Sequence, residues 1–489
     1  MDMKSILSRE QFVITPEKNG LVRDIKLRHL LMIAFGGAIG TGLFVGTGGN
    51  IASAGPLGTL IAYAIGGVII YSVMLSLGEL ASYFPHTGSF GDYAHRFIGP
   101  ATGYMIFWLY WLGWVISVGI EYIAVGFLMQ YWFPSVPVYW WVIGCVVLIF
   151  LLNSFSVKVF AESEFVLSMI KTIAVIAFIA IGFVAIIYHI YLNGFGAVFA
   201  NFYFEKGGLF PNGVQVVLGT ILVVIFAFTG TEIIGVAVGE TKNPSQVMPK
   251  AIKATLARIV FFFIGSVFII SVFLPMNDST ITQSPFVSVL ERIELPFLKG
   301  GIPYVASVMN FIIITALIST ANSGLYGASR MIYGLSEKKM YFPIFAKLNK
   351  RGTPIFALYL SIIFSLVALF TKIFAPEAVI EALISVVSFT VIIVWASVSI
   401  SQYIFRKRYI ASGKSLKDLP YKAPFTPLIQ IIGLLGCLIG IIGAYFDPQQ
   451  RIGIWATLVY IILCYGVYFI TKDRFGRVSK GEEDVLASR

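Results

Sequence analysis

Four charged residues lie inside long apolar runs of this sequence: Glu79 in SLGELASYFP, Glu121 in WVISVGIEYIAVGF, Lys171 in FVLSMIKTIAVIAF and Glu232 in FAFTGTEIIG. A charge at membrane depth costs at least about 2.5 kcal/mol on insertion scales, so each is a functional candidate by default. Lys171 is the one Lys or Arg well within such a run. Burial disfavours an ammonium relative to the neutral amine, which suits this group to gaining and losing a proton. Glu121 has no opposite charge within a helical turn. It fits either a structural hydrogen bond to a neighbouring helix or a group facing a cationic side chain or a proton. Glu79, at the end of its run, is accounted for by snorkelling or by a tie to a basic loop. Glu232 stands beside a Gly-rich interruption and is a candidate for a gate, a proton or a substrate amine.

Two interruptions would have to position these groups. The stretch FGGAIGTGLFVGTGGN, Phe35 to Asn50, carries seven glycines where a stable helix would want none. In lipid every backbone N–H and C=O needs a partner, so a broken helix at that depth is tolerated only when buried in protein or lining a polar cavity. Close helix packing is the simpler reading, since Gly36/Gly40 and Gly42/Gly46 both have small-xxx-small spacing. A second interruption, FAFTGTEIIG at Phe226 to Gly235, tips the balance, because paired breaks in corresponding positions point to an inverted-repeat transporter. The two breaks would face each other. The N–H groups of Gly40, Thr41 and Gly42 would start a half-helix suited to a carboxylate, and carbonyls from Phe226 to Thr229 would accept from an ammonium. A zwitterion fits both ends. GTGLFVG lacks the GxxxxGK[ST] frame of a nucleotide loop.

The remaining chemistry-bearing residues add little. His29, His86, His95 and His189 lie at span ends or in loops with no i, i+4 pair, and Cys145, Cys437 and Cys464 sit singly inside spans. Neither a disulfide framework nor a metal site is indicated. There are no paired carboxylates or nucleophile with a base at a plausible spacing, which argues against an enzyme, and no continuous polar stripes of the kind a channel needs.

The elements that must carry these groups are membrane helices. The 489 residues are 58% hydrophobic and 12% charged, which excludes a soluble globular protein. About twelve apolar segments of spanning length are expected, near 29–52, 57–84, 100–131, 138–156, 161–190, 214–240, 251–275, 302–335, 356–374, 376–404, 425–445 and 452–471. Lys and Arg crowd one set of connections, including Lys158, Lys242, Lys250, Arg258, Arg330, Lys338 and Arg406. The other set has Lys206, Arg292, Lys299, Lys372 and Arg451. Both termini are therefore expected in the cytoplasm. The net charge of +11 is explained by this bias and by contact with anionic lipid, without nucleic acid. The polar opening Met1 to Arg28 does not read as a cleavable signal peptide.

Four motifs together resemble the amino acid permeases of the amino acid-polyamine-organocation superfamily. They are GGAIGTGLFVGTG, LGELASYFPHTGSFGDYA, FTGTEIIGVAVGETKNPSQVMPKAI and ISTANSGLYGASRMIYGLSEKKM, and the likeness covers nearly the whole chain, including LPYKAPFTPL. Within that superfamily the chain looks most like the bacterial amino acid transporter branch with the lysine-specific permeases. The resemblance implies an all-α membrane protein of the leucine-transporter fold, with helices 1 and 6 broken. The expected organisation is a tail over 1–28, a first repeat over 29–190, a second over 214–404, two further helices over 425–471 and a tail over 472–489. The resemblance puts substrate carboxylate binding on Thr41 and Gly42, with Gly40 shaping the break and Ile39 beside it. Amine binding falls on the carbonyls near Phe226 and Phe228, with Thr229 and Glu232 lining the pocket, and Glu121, Ser319 and Asn322 completing it; Ser388 is a weaker candidate.

In proton-coupled members a fifth-span lysine takes the place of a sodium ion, and Lys171 matches it. The expected activity is proton-coupled import of an amino acid by alternating access, with lysine or arginine as the leading substrates and histidine or a neutral or aromatic amino acid behind them. The lysine permeases have Asp near Glu121 and Gln at Thr229, and relatives for neutral amino acids also carry Glu in the third span, so that acid alone does not select cations. No cofactor is expected besides the proton as coupling ion. The expected setting is a bacterial cytoplasmic membrane, with the amino acid, the proton and the lipid bilayer as partners and the oligomeric state left open. A transport-derived sensor is the chief rival; sensors of this kind often carry long soluble extensions, and the tails here are short.

Overall fold

The computed structural model describes residues 21–37, 39–203, 208–281, 284–293, 304–366, 376–446 and 448–487, with side-chain detail at all of them except Phe35, Ala257, 376–381, 448–449 and 474–487. Residues 1–20 of the expected tail, the ninth expected span beyond 366, and Lys206, Lys299 and Lys372 lie outside the described residues.

Helix follows helix along the chain: α1 Leu27–Gly36, α2 Thr41–Phe44, α3 Gly46–Tyr83, α4 Ser89–Phe97, α5 Pro100–Met129, α6 Val138–Phe155, α7 Val157–Asn193 and the short α8 Phe195–Val198. Then come α9 Val214–Phe228, α10 Ile234–Ala237, α11 Pro244–Arg258, α12 Gly265–Phe273, α13 Pro285–Arg292, α14 Val305–Glu337, α15 Ile355–Ser365, α16 Pro376–Ala411, α17 Leu428–Tyr445 and α18 Pro448–Ala487. Among the described residues no strand forms, and Ile25 and Thr241 make one isolated parallel bridge. Among the described residues, ten helical stretches are long and apolar enough to cross a membrane.

The helix boundaries depart from the sequence expectation where backbone chemistry intervenes. Spans expected to part between 52 and 57 instead share α3, which bends at Gly55 (φ 73°) ahead of Pro56. Proline lacks the N–H the preceding turn needs, so carbonyls are freed at the bend. The Thr59 hydroxyl donates to two of them, Asn50 O at 2.9 Å and Gly55 O at 2.8 Å. The seventh span runs from α11 through a π-helical stretch, Ile259–Ile264, into α12. The expected tail at 472–489 starts inside a helix, because α18 continues to Ala487. Two short helices, α4 and α13, follow the second and seventh spans where only connections were foreseen.

Burial grades from centre to rim. The stretch Val214–Glu240 has 94% of its most apolar window buried, against 17% for Gln450–Asp473, so α9 is central and α18 peripheral. Around α9 pack α3, α16 and α17, while α5 lies along α14, and α1 and α14 both lie against α7. The rim helices turn large apolar side chains outward, among them Ile173 and Ile187 on α7 and Ile462 and Ile470 on α18. That face is expected where lipid replaces water as solvent.

Glu79 is tied into this frame. Its carboxylate, fully buried, accepts from both the Nε and a terminal nitrogen of Arg406, from Gln402 Nε2 at 2.8 Å and from the Ala423 backbone N–H at 2.7 Å. Both carboxylate oxygens are used, and α3 is pinned to α16 and to the segment before α17. Removing one partner of a buried pair leaves an uncompensated charge, at a cost of about 3–5 kcal/mol. Glu79→Gln is therefore expected to lower thermal stability in detergent by a cost of that order, and Glu79→Gln combined with Arg406→Met to recover most of it. An undiminished single variant would show that the pair does not hold the helices together.

A buried polar centre at two helix breaks

Helix α1 stops at Gly36 and helix resumes at Thr41; α9 stops at Phe228, Gly230 takes a left-handed backbone (φ 98°), and Thr231 restarts the chain as a 3-10 turn. The breaks touch. A Cβ on Gly42 would stand 2.5 Å from the Ala227 Cα, and one on Gly37 would stand 2.9 Å from the Gly230 carbonyl oxygen. Only a residue without a side chain lets the start of α2 lie against the end of α9.

Polar groups converge on the first break from three neighbouring helices. From α5, the Glu121 carboxylate accepts the Thr41 hydroxyl at 2.6 Å. This is the bond to a neighbouring helix that the sequence allowed for. From α7, Lys171 Nζ donates to the Ile39 carbonyl at 3.2 Å. From α14, the Thr320 hydroxyl donates to Ala316 O at 3.1 Å and more weakly to Ile39 O at 3.4 Å. Gly40 lies against Thr320 and Glu121, at 2.6 and 3.1 Å from where its Cβ would be. The structure thus brings Ile39, Gly40, Thr41, Gly42, Glu121 and Lys171 into one buried cluster.

The second break is organised differently from the sequence expectation. Glu232, fully buried, folds back and accepts the Gly230 N–H at 3.2 Å and the Tyr110 hydroxyl at 3.1 Å. The carbonyls expected to meet an amine already have local donors: Phe226 O takes the Thr229 N–H at 3.0 Å, and Phe228 O takes the Thr231 hydroxyl at 2.7 Å. The Thr229 hydroxyl donates to Ile225 O. The Phe228 ring packs with Tyr63 and Phe263, ring centroids 5.8 and 4.7 Å away, between α3 and the π-helical stretch and away from the cluster. A carbonyl oxygen keeps a second lone pair, so the backbone at Phe226 retains an acceptor site.

Several buried charges escaped the sequence reading. Arg258, counted there with the basic connections, is fully buried and donates to Ala34 O at the end of α1 and to the Thr231 hydroxyl, joining the two breaks. Arg330 and Arg406, counted likewise, are held by Glu240 and Glu79. Each stands at the edge of an apolar run, where a cation ordinarily reads as interfacial, so composition could not mark them. Glu164 is also fully buried on α7. Ser319 and Asn322, expected in the substrate pocket, turn their side chains to Glu164 instead. A signal for Glu164 was present: Glu164, Ser168 and Lys171 have i, i+4, i+7 spacing and share one helix face.

The two ends of the bundle differ. At the end where α1 begins, Ile25 N–H donates to Glu240 O at 3.0 Å and Lys242 N–H to Ile25 O at 2.9 Å. The Lys242 ammonium lies 2.9 Å from Asp24 and holds that carboxyl below its usual value. Arg330 Nε meets Glu240 at 2.8 Å, Tyr326 OH meets the same carboxylate at 2.9 Å, and the Tyr326 ring stacks on Phe160 at 4.1 Å. At the other end a cleft of about 570 Å³ opens between the start of α3, the start of α9 and α16, with Asn50, Gln215, Thr220 and Ser388 on its wall.

Among the described residues, ten stretches long and apolar enough to span a membrane, one of them interrupted at Gly230, define a multi-pass membrane protein, and the permeases it is similar to make it a transporter and not an enzyme. The amino acid permease family model matches residues 29–480, and the chain belongs to this family. It is 44% identical to a putative histidine permease of Bacillus subtilis, with 93% of this chain and 94% of the relative covered. It is also 44% identical to the amino-acid permease RocC of the same organism, with 93% and 95% covered. The lysine-specific permease LysP of Escherichia coli is 35% identical, with 95% of this chain and 97% of the relative covered.

Proposed function

We propose that this chain is a proton-coupled importer of an amino acid with a cationic side chain, lysine or arginine, working by alternating access in a bacterial cytoplasmic membrane with both termini inside. The observation that carries the reading is the single cluster at the first break, where a helix start, the Glu121 carboxylate and the Lys171 ammonium all meet residues 39–41. A substrate carboxylate would take the Thr41 helix start, its amine would take carbonyls at the second break, and Glu121, released from Thr41, would face the side chain. Lys171 would carry the proton, its bond to Ile39 O coupling protonation to the position of the broken helix.

The fold proposed for this work is the leucine-transporter arrangement, repeats over 29–190 and 214–404 with two further helices over 425–471. Its support is the recurrence of a broken first helix and a short helix after the second span in each half, α4 in one and α13 in the other. The open cleft at one end and the bridged, ion-paired contacts at the other fit a carrier facing outward, with the cytoplasmic side closed by Ile25, Glu240 and Arg330.

A histidine-transporting reading stands second, favoured by the putative histidine permease at 44% identity. Uptake of radiolabelled lysine into proteoliposomes under an inward proton gradient, with unlabelled arginine, histidine and alanine as competitors, tests both. Lysine accumulation that a protonophore collapses is the expected result. Competition by histidine with no lysine uptake would move the substrate to histidine, and saturable binding without accumulation would favour a sensor.

A further inference from the structure

Lys171 has two carboxylates in its field, and the proposed cycle uses only one of them. Glu164 shares its helix face, Glu121 from α5 bonds Thr41 two residues from the Ile39 carbonyl that Lys171 meets, and Arg258 from α11 reaches Ala34 on the same broken helix. Glu164 sits two turns before Lys171 on α7, towards the helix end that carries Lys158. It has no solvent exposure and accepts three side-chain hydrogen bonds: from Ser168 at 3.0 Å, from Ser319, and from Asn322 Nδ2 at 3.2 Å. Asn322 is itself braced by Asn153 at 2.8 Å. Ser168 and Ser319 meet one of its oxygens and Asn322 the other. Ser168 lies between the two charges. Its Oγ and the Lys171 Cε both press on Gly36, at 1.9 and 2.8 Å from where a Cβ would stand, so the hydroxyl and the end of the lysine lie side by side against α1.

We propose that Glu164 is the second proton-bearing group of this carrier, receiving the proton from Lys171 on its way to the cytoplasm. This rests on the proton-coupled reading above. In the step an N–H bond of the Lys171 ammonium breaks and the Ser168 oxygen takes that proton. The hydrogen already on Ser168 moves along its bond to Glu164, forming a carboxyl O–H. The lysine is left as a neutral amine and the glutamate as a neutral acid, with no change in total charge. With the proton on Glu164 its bond to Ser168 reverses, the carboxyl now donating, and the bonds from Ser319 and Asn322 on α14 lose their charge assistance and weaken. Beyond Glu164 the route to the Lys158 end is blocked by Phe160 stacked on Tyr326 and by the Glu240–Arg330 pair. The proton is therefore held until α7 and α14 part.

The full-length chain in proteoliposomes tests this with radiolabelled lysine and, separately, radiolabelled histidine in two assays: accumulation under an inward proton gradient, and exchange in preloaded vesicles with no gradient. Glu164→Gln is expected to lose accumulation by at least about tenfold while exchange stays within about threefold of the unsubstituted chain. Ser168→Ala, which keeps the carboxylate, is expected to show the same split more mildly. Undiminished accumulation in Glu164→Gln would overturn the proposal. Equal loss of both assays in Glu164→Gln, with Ser168→Ala unaffected, would make Glu164 a packing group and overturn it too. If the unsubstituted chain neither exchanges nor accumulates either probe, the failure belongs to the permease reading.

Discussion

Lys171→Arg is expected to fold and to exchange substrate between vesicle compartments, yet to accumulate none of it under a proton gradient. The reasoning separates the charge of the residue from its proton. Lys171 lies fully buried among Glu164, Glu121 and the Ile39 carbonyl, so a fixed positive charge there keeps the two carboxylates compensated. A guanidinium supplies that charge but does not give up its proton in proteins. Accumulation should fall by at least about tenfold, to the level seen without a gradient. Lys171→Gln should lose accumulation as well and in addition lose stability, because it removes a buried positive charge from a site that also buries Glu121 and Glu164. Thermal unfolding in detergent and uptake measured side by side distinguish the two variants. Full gradient-driven accumulation by Lys171→Arg would remove the residue from the proton pathway.

Gly42→Ala is the second large effect. Its new Cβ would lie 2.5 Å from the Ala227 Cα, 3.0 Å from the Ala227 Cβ and 3.2 Å from the Ala227 nitrogen. Those are backbone atoms and a methyl group, so no rotamer change relieves the contact, and the start of α2 must move off the end of α9. Overpacking of this kind costs about 1–3 kcal/mol. The functional loss should be larger than the stability loss, because the Thr41 bond to Glu121 depends on the same placement. Gly144→Ala on α6 is the control, since nothing lies within 4 Å of its Cβ position. It should be neutral or slightly stabilising in a helix. Wild-type uptake by Gly42→Ala would mean that the two breaks need not touch.

The class of molecule was readable from composition, because a chain that is 58% hydrophobic with charges gathered between apolar runs has only lipid to fold in. The two breaks were readable for the same reason: glycine and threonine in a spanning segment leave backbone groups that lipid cannot satisfy. Glu121 and Lys171 were visible because each stands alone in a greasy run, and isolation in sequence survives as isolation from water.

What sequence spacing could not supply was which charge meets which. Glu79 finds Arg406 from 327 residues away, and Glu240 finds Arg330 from 90, so two arginines that looked interfacial are interior. Arg258 bridges the ends of α1 and α9 because those ends converge in space, which no local pattern encodes. Glu232 looked like a pocket acid and instead satisfies the amide of its own break, since a left-handed Gly230 turns that N–H towards it. By itself the sequence determined a membrane-spanning bundle with two interrupted helices and isolated interior charges, because hydropathy and backbone satisfaction are local properties. Only the tertiary structure decided that Glu121 on α5 and Lys171 on α7 meet at the first break, because buried charges on different helices are brought together by packing.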